Sequence, residues 1–146
     1  MRAVIQRVKR AKAKNVSTGE EREIGEGLAV LIGIKKGDTS DKAGWLADKV
    51  LNLRIFPDEK GRFDRSLKDT GGELLLVSQF TLYGDCLKGR RPDFSEAEAP
   101  EKAELIYRAC SGAFKKTGVS FKEGWFAASM ELDIVNWGPV TLILDV

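Results

Sequence analysis

The sequence predicts a single α/β domain rich in strands, with mixed, barrel-like sheet layers covered by two amphipathic helices. Residues 1–146 form one chain of ordinary domain size. Segments with strand periodicity, or short continuous apolar runs, outnumber helical stripes by about four to one. Only two stretches space their apolar residues at i, i+3, i+4 and i+7, and no repeat, linker or low-complexity tract divides the chain.

Residues 2–16 alternate well enough for a long strand, with Val4, Gln6 and Val8 on one side and Ala3, Ile5 and Arg7 on the other. Thr18-Gly19 is a turn signal, so Glu21 to Ile24 is expected to pair back as a hairpin. The apolar run Leu28 to Ile34 reads as a buried central strand. Gly37-Asp38-Thr39 then ends the sheet and opens a helix capped by Asp38 or Thr39, whose buried stripe is Ala43, Leu46, Ala47, Val50 and Leu53. Residues 54–72 read as a short strand, a turn from Pro57 to Gly61 and a polar loop closing on Gly71-Gly72. Glu73 to Phe80 is another strand, and residues 83–98, with Gly84, Gly89 and Pro92, form an ordered surface loop. Pro100 suits the first turn of a second helix, which buries Ala103, Ile106, Tyr107, Cys110 and Phe114 and stops at Gly118. Three strands follow at Val119 to Phe121, Phe126 to Val135 and Val140 to Asp145, and each helix is expected to cover one sheet face.

Composition narrows the chemistry. The chain is 42% hydrophobic and 32% charged, the balance of a soluble globular domain. No apolar run approaches the ~20 residues of a membrane span, and MRAVIQRVKR lacks the apolar core of a signal peptide, so a cytoplasmic location is expected. Cys86 and Cys110 are too few for a disulfide scaffold or a zinc site. Histidine is absent, which removes Ser-His-Asp triads, Cys-His dyads and every His-ligated metal site. Neither a metal nor a cofactor is expected. An enzyme built from this chain must use backbone groups, carboxylates, hydroxyls, lysine or its own substrate. The net charge is +2, but Arg2, Arg7, Lys9, Arg10, Lys12 and Lys14 crowd the first strand, and Lys88, Arg90 and Arg91 form a second cluster. Such patches fit a polyanion contacted at a few phosphates, and equally a solvated charged strand.

Three segments carry polar or aromatic groups that a plain strand does not need. Ser78-Gln79-Phe80-Thr81 follows the apolar run Leu74 to Val77, so hydroxyl and amide groups converge at a strand end, where sites often lie; a capped strand entering a turn has the same pattern. Asn136-Trp137-Gly138-Pro139-Val140-Thr141 contains a Gly-Pro, ordinarily a hairpin turn. In the cis form it aims two successive carbonyls to nearly one side, a fitting receptor for an ammonium group, which can only donate. Phe126-Ala127-Ala128-Ser129-Met130 could flank a flat slot for a nucleobase, or be strand core.

Together these segments resemble the D-aminoacyl-tRNA deacylase (D-tyrosyl-tRNA deacylase) family over essentially the whole chain. The resemblance runs through MRAVIQRV, LNLRIF, GGELLLVSQFTLYGD, KGRRPDFSEAEAPEKAELIY and NWGPVTLILD. Its most specific part is SQFT paired with NxGPVT, linked by KGRRP. The chain departs from the family in having Ala127 where Phe-Gly-Ala is usual, Gly84-Asp85 where Ala precedes Asp or Asn, and Asp93 in place of Ser.

The resemblance implies a hydrolase that cuts the ester joining a D-amino acid, or glycine, to the 3′-terminal adenosine of tRNA, and so recycles mischarged tRNA. It implies catalysis around Ser78, Gln79, Phe80 and Thr81, with backbone N–H groups near Phe80 and Thr81 holding the oxyanion and the terminal 2′-OH positioning the water. An alternative makes the Thr81 hydroxyl the nucleophile, though it has no partner base. Gly138-Pro139 of one subunit is implied to enter the site of the other and reject L-residues, with Arg7 donating to a Gly-Pro carbonyl and Phe126 and Met130 lining the adenosine pocket. The partners implied are tRNA and a second copy in a homodimer, with no membrane. A related editing deacylase acting on an L-aminoacyl group, and a non-catalytic tRNA-binding module, stay open beside this reading.

Overall fold

In the computed structural model, which describes residues 1–146, the first strand organises the rest. Strand β1 (Arg2–Asn15) pairs antiparallel along one edge with the C-terminal strand β8 (Met130–Asp145). Its other edge is shared, first by β3 (Gly27–Gly33) and then by β2 (Glu21–Ile24), both antiparallel. Beyond β3 lie β6 (Glu73–Ser78) and then β7 (Ser120–Glu123), each parallel to its neighbour. Strands β4 (Phe56–Pro57) and β5 (Phe63–Arg65) make a separate two-stranded ribbon.

Alternation in β1 is as expected up to Val8: Ala3, Ile5 and Arg7 point to one buried side. Lys9 is then an extra residue, because Val8 pairs with Asn136 while Arg10 pairs with Val135. Such a bulge flips the register by one and sharpens the local twist. Past it Ala11 and Ala13 become the buried residues, and the sheet coils toward a barrel.

Both helices lie on the same face, not one on each as the sequence suggested. Helix α1 (Ala43–Leu51) and helix α3 (Pro100–Lys115) pack together against Ala3, Ile5, Leu28, Val30, Ile32, Leu74 and Leu76. The opposite face, with Ala29, Leu75 and Val77, is closed by the curl of the sheet itself, which brings Ala11, Ala13, Leu132 and Ile134 over it. A strongly coiled sheet covers its own second face, so no helix is needed there. Each large aliphatic side chain removed from water in these two clusters stabilises the fold by roughly 1.5–3 kcal/mol.

Smaller departures have local causes. A turn of 3-10 helix at Ser40–Lys42 precedes α1, and neither Thr39 nor Asp38 caps the α-helix itself. A short helix α2 (Leu67–Thr70) stands where a loop was expected. Ser66 caps it by accepting from the Asp69 N–H, and the Asp69 carboxylate reaches back to the Ser66 N–H, a capping box written with Asp instead of Glu. Residues 126–129 form a turn, not the start of a strand, and Ala127 there takes the left-handed conformation, with φ 55°. Strand β8 continues on both sides of a bulge at Gly138-Pro139, which the sequence placed between two separate strands.

Candidate active site

Strand β6 stops at Ser78 because the chain turns away from the sheet there. The Gln79 N–H still donates to the Ile32 carbonyl (2.8 Å), and Phe80–Tyr83 then winds into one turn of 3-10 helix. Gly33 allows this turn to lie close: a Cβ there would stand 3.0 Å from the Gln79 carbonyl oxygen and 3.1 Å from the Leu82 Cβ. The leading N–H groups of a helical turn have no acceptor within it, so those of Phe80 and Thr81 are free to meet another group. The Gln79 side-chain amide donates to the Thr81 hydroxyl.

The turn opens on a cleft of about 730 Å³, within the range of small-molecule sites. Ser78, Gln79 and Phe80 line one wall, and Phe126 and Met130 line another. Two of the three segments singled out in the sequence therefore meet. Tyr107 of α3 props the Phe126 ring at 5.7 Å and donates its hydroxyl to the Leu76 carbonyl, while burial pushes its pKa up and keeps it neutral. The Trp125 N–H donates to the Met130 sulfur (3.4 Å). Both groups that flank the slot are thus held from behind.

Phe94 and Glu98 also line the cleft, and sequence reasoning gave them no role because they fall in a loop without periodicity. The Phe94 ring meets that of Phe80 edge-on at 5.1 Å. Glu98 is the only ionisable side chain in the lining. Its carboxylate accepts from Lys102 Nζ (2.7 Å), the Ala99 N–H (3.0 Å) and the Gly37 N–H (3.4 Å), which together hold its pKa below the ordinary carboxylate value. A carboxylate so engaged is a poor proton acceptor.

Gly138 and Pro139 lie elsewhere. Between the pairs Val8–Asn136 and Gln6–Thr141, the four residues Trp137 to Val140 stand opposite Arg7 alone. They bow out of β8 as a wide bulge, with Gly138 and Pro139 exposed and the bond between them cis. Asn136 ties the base of the bulge, accepting from the Val140 N–H (3.1 Å) and donating to the Thr141 hydroxyl (3.3 Å). Its place in NWGPVT was visible in the sequence, but this brace was not.

Arg7 supports the bulge from inside. Its Nε–H donates to the Trp137 carbonyl (3.0 Å), one residue before the Gly-Pro carbonyls that the sequence reading assigned to it, and its Nη1 donates to the Ile55 carbonyl. The guanidinium packs over the Trp137 ring at 4.6 Å and over the Phe63 ring at 5.3 Å. Only 5% of Arg7 is exposed, and desolvation draws its pKa below the usual arginine value.

The bulge does not line the cleft of its own chain. Ser78 pairs with Ile32, and Ile32 with Ala3, whereas the bulge sits opposite Arg7, four residues further along β1 and on the far side of it. Four residues along and three strands across correspond to roughly 15–20 Å.

Comparison with known proteins places this arrangement in context. The sequence model of the family described as D-Tyr-tRNA(Tyr) deacylase matches residues 4–145. The chain is 51% identical over 146 residues to a D-aminoacyl-tRNA deacylase of Carboxydothermus hydrogenoformans, covering all of both chains. It is 52% identical over 145 residues to one of Syntrophomonas wolfei, covering 99% of this chain and 97% of that one. Among solved structures, one titled c-Myc DNA Unwinding Element Binding Protein superposes with a TM-score of 0.90 at 42% identity, covering 100% of this chain and 99% of the other. A second, titled as a probable eukaryotic D-amino acid tRNA deacylase, gives 0.87 at 17% identity over 99% and 98%, a likeness of fold.

Proposed function

The chain belongs to the D-Tyr-tRNA(Tyr) deacylase family and is a hydrolase of D-aminoacyl-tRNA, and from that premise we propose how its residues perform the reaction. The cleft receives the 3′-terminal adenosine of tRNA, with the base against Phe126 and Met130 and the ester against Ser78 to Thr81. As water attacks, charge develops on the carbonyl oxygen, and the Phe80 and Thr81 N–H groups donate to it. One such donor is worth roughly 3–4 kcal/mol of barrier. The observation that carries this reading is the absence of a usable base: Glu98 is the one ionisable group in the lining, and three donors already occupy it. The group that orients the water then comes from the substrate, and the 2′-OH of the terminal ribose is the one chemically at hand. The Thr81 hydroxyl already accepts from Gln79 and has no base beside it, so it is not the nucleophile in this account.

Chirality is set across a homodimer. Strand β8 pairs only with β1, leaving sixteen residues with an open outer edge and with Val135 and Ile143 exposed. A long open edge of this kind invites a second copy. In the two-fold pair, Gly138-Pro139 of one subunit reaches the cleft of the other, and its carbonyls accept from the substrate ammonium. With ammonium and ester both fixed, an L side chain collides with the Gly-Pro backbone and a D side chain points away. Glycine, having no side chain, is accepted too.

The test is deacylation of matched esters. D-Tyr-tRNA and Gly-tRNA are expected to be hydrolysed and L-Tyr-tRNA spared. Comparable hydrolysis of the L-ester would remove the chiral filter while leaving the deacylase activity intact.

A further inference from the structure

The two basic clusters of the sequence have different fates in the fold. Along β1 four of the six cations are met by acids, Arg2 by Asp145, Lys9 by Glu26, Arg10 by Asp133 and Lys12 by Glu21. Arg7 is buried against the Trp137 and Ile55 carbonyls, and Lys14 alone stays unpaired. Lys88, Arg90 and Arg91 enter no ion pair and no side-chain hydrogen bond, and all three are exposed. They stand at the tip of a hairpin loop whose root is fixed. Asp85 and Asp93 exchange two backbone hydrogen bonds (2.7 and 2.9 Å), and their carboxylates accept from the Leu87 and Ser95 N–H groups. The two acids are thus occupied at the root while the three cations project beyond it. Just past the root, Phe94 packs on Phe80 at the cleft wall, and Lys35 bridges to Ala97.

The direction of the substrate strand follows from its chemistry. In an aminoacyl ester the 5′-phosphate hangs on the same ribose as the ester, so the polynucleotide leaves the site beside the ester and not beyond the base. The ester end of the cleft is the Ser78 to Phe80 wall, against which the root of the loop is packed. Four residues beyond the root reach up to about 13 Å, enough to meet several successive phosphates.

We propose that the 85–93 loop is a phosphate-contacting finger, in which Lys88, Arg90 and Arg91 hold the RNA strand where it leaves the cleft. This rests on the deacylase reading of the cleft. The contacts are to backbone and carry no base specificity, so the finger serves every tRNA alike and leaves discrimination to the cleft and to Gly138-Pro139.

The experiment compares wild type with the triple variant Lys88→Gln/Arg90→Gln/Arg91→Gln on D-Tyr-tRNA and on the minimal ester D-Tyr-adenosine, across 50–200 mM salt. Three phosphate contacts predict a slope of about −2.1 to −2.7 in log(kcat/KM) against log[salt] from the finger, or roughly 20- to 40-fold over that range. The triple variant should lose that slope on tRNA and match wild type on D-Tyr-adenosine, and Arg90→Lys/Arg91→Lys should keep most of it. An unchanged slope, or an equal loss on both substrates, overturns the finger. If wild type hydrolyses neither ester, the deacylase reading fails on its own. The same salt titration of uncharged tRNA binding then reads the finger, with the same slope change supporting it and no change overturning it.

Discussion

Arg7 carries a guanidinium into a site only 5% exposed and uses it to hold two carbonyls, those of Trp137 and Ile55. Removing it leaves both acceptors without their donor and unseats Trp137. Arg7→Ala should therefore cost about 2–4 kcal/mol, and Arg7→Lys should recover only part of it, because an ammonium cannot reach both carbonyls in one plane. Thermal melts of the two variants check this. Ala127 presents the opposite situation, a side chain in a conformation that suits glycine, at φ 55°. Relief of the left-handed strain, about 1–2 kcal/mol, exceeds the unfolded-state entropy that glycine adds back, about 0.4–1 kcal/mol. Ala127→Gly should raise the melting temperature slightly, and a clear drop would contradict the strain. Thr81→Ala should keep substantial deacylation, while a substrate lacking the terminal 2′-OH loses far more; an inactive but folded Thr81→Ala would restore the hydroxyl as nucleophile.

The turn at Phe80–Tyr83 is positioned by its closeness to β3, so its geometry can be perturbed from outside the cleft. A methyl at Gly33 meets the Gln79 carbonyl and Leu82 at 3.0–3.1 Å, and the turn must give by a few tenths of an ångström. If the Phe80 and Thr81 N–H groups hold the oxyanion and Phe126 and Met130 the adenosine, as proposed, Gly33→Ala should lower kcat more than it changes KM. A pure KM effect would place the turn's contribution in binding. At this scale the sequence was readable where periodicity was undisturbed. The stripe of α3 (Ala103, Ile106, Tyr107, Cys110, Phe114) and the alternation of Ala3, Ile5 and Arg7 follow the pattern residue for residue. It was not readable where one residue shifts a register. The Lys9 bulge flips the faces of β1 and folds the sheet over itself, and nothing in KRAKAK marks that position. Gly-Pro reads as a turn between strands because proline usually ends pairing, yet Asn136 spans the bulge and the ladder to β1 resumes at Thr141. Of the cleft lining, Ser78, Gln79, Phe80, Phe126 and Met130 belong to segments that the sequence singles out, Thr81 is not among the lining residues, and Phe94 and Glu98 come from a loop that only the fold brings to the wall.

Over the whole molecule, the loss of stability on acidification should depend on carboxylates and not on histidine, which is absent. Side-chain and backbone hydrogen bonds hold Asp69, Asp58, Glu73 and Glu98 below their ordinary pKa values, and the Arg2 side chain does the same for Asp145. A depressed folded-state pKa gives stability that is complete above the unfolded value and is lost as pH falls through the folded one. The melting temperature should therefore be nearly flat from pH 6 to 7 and fall below about pH 4, and Asp69→Asn should weaken that acid dependence. A transition centred near pH 6.5 would contradict this, since no histidine is present to supply it.

The wider question is assembly, because the cleft and the Gly138-Pro139 bulge lie on different parts of one chain. In the proposed site a two-fold dimer joins them, and mixing two inactive variants tests that directly. One variant is disabled in the Ser78 to Thr81 segment and the other at Gly138-Pro139, and the two are allowed to exchange subunits. If each site is shared, every mixed dimer has one site with both elements intact, and hydrolysis of D-Tyr-tRNA returns. If each site is built within one chain, every site in the mixed dimer carries a defect. With exchange confirmed independently, persistent inactivity would contradict the shared site.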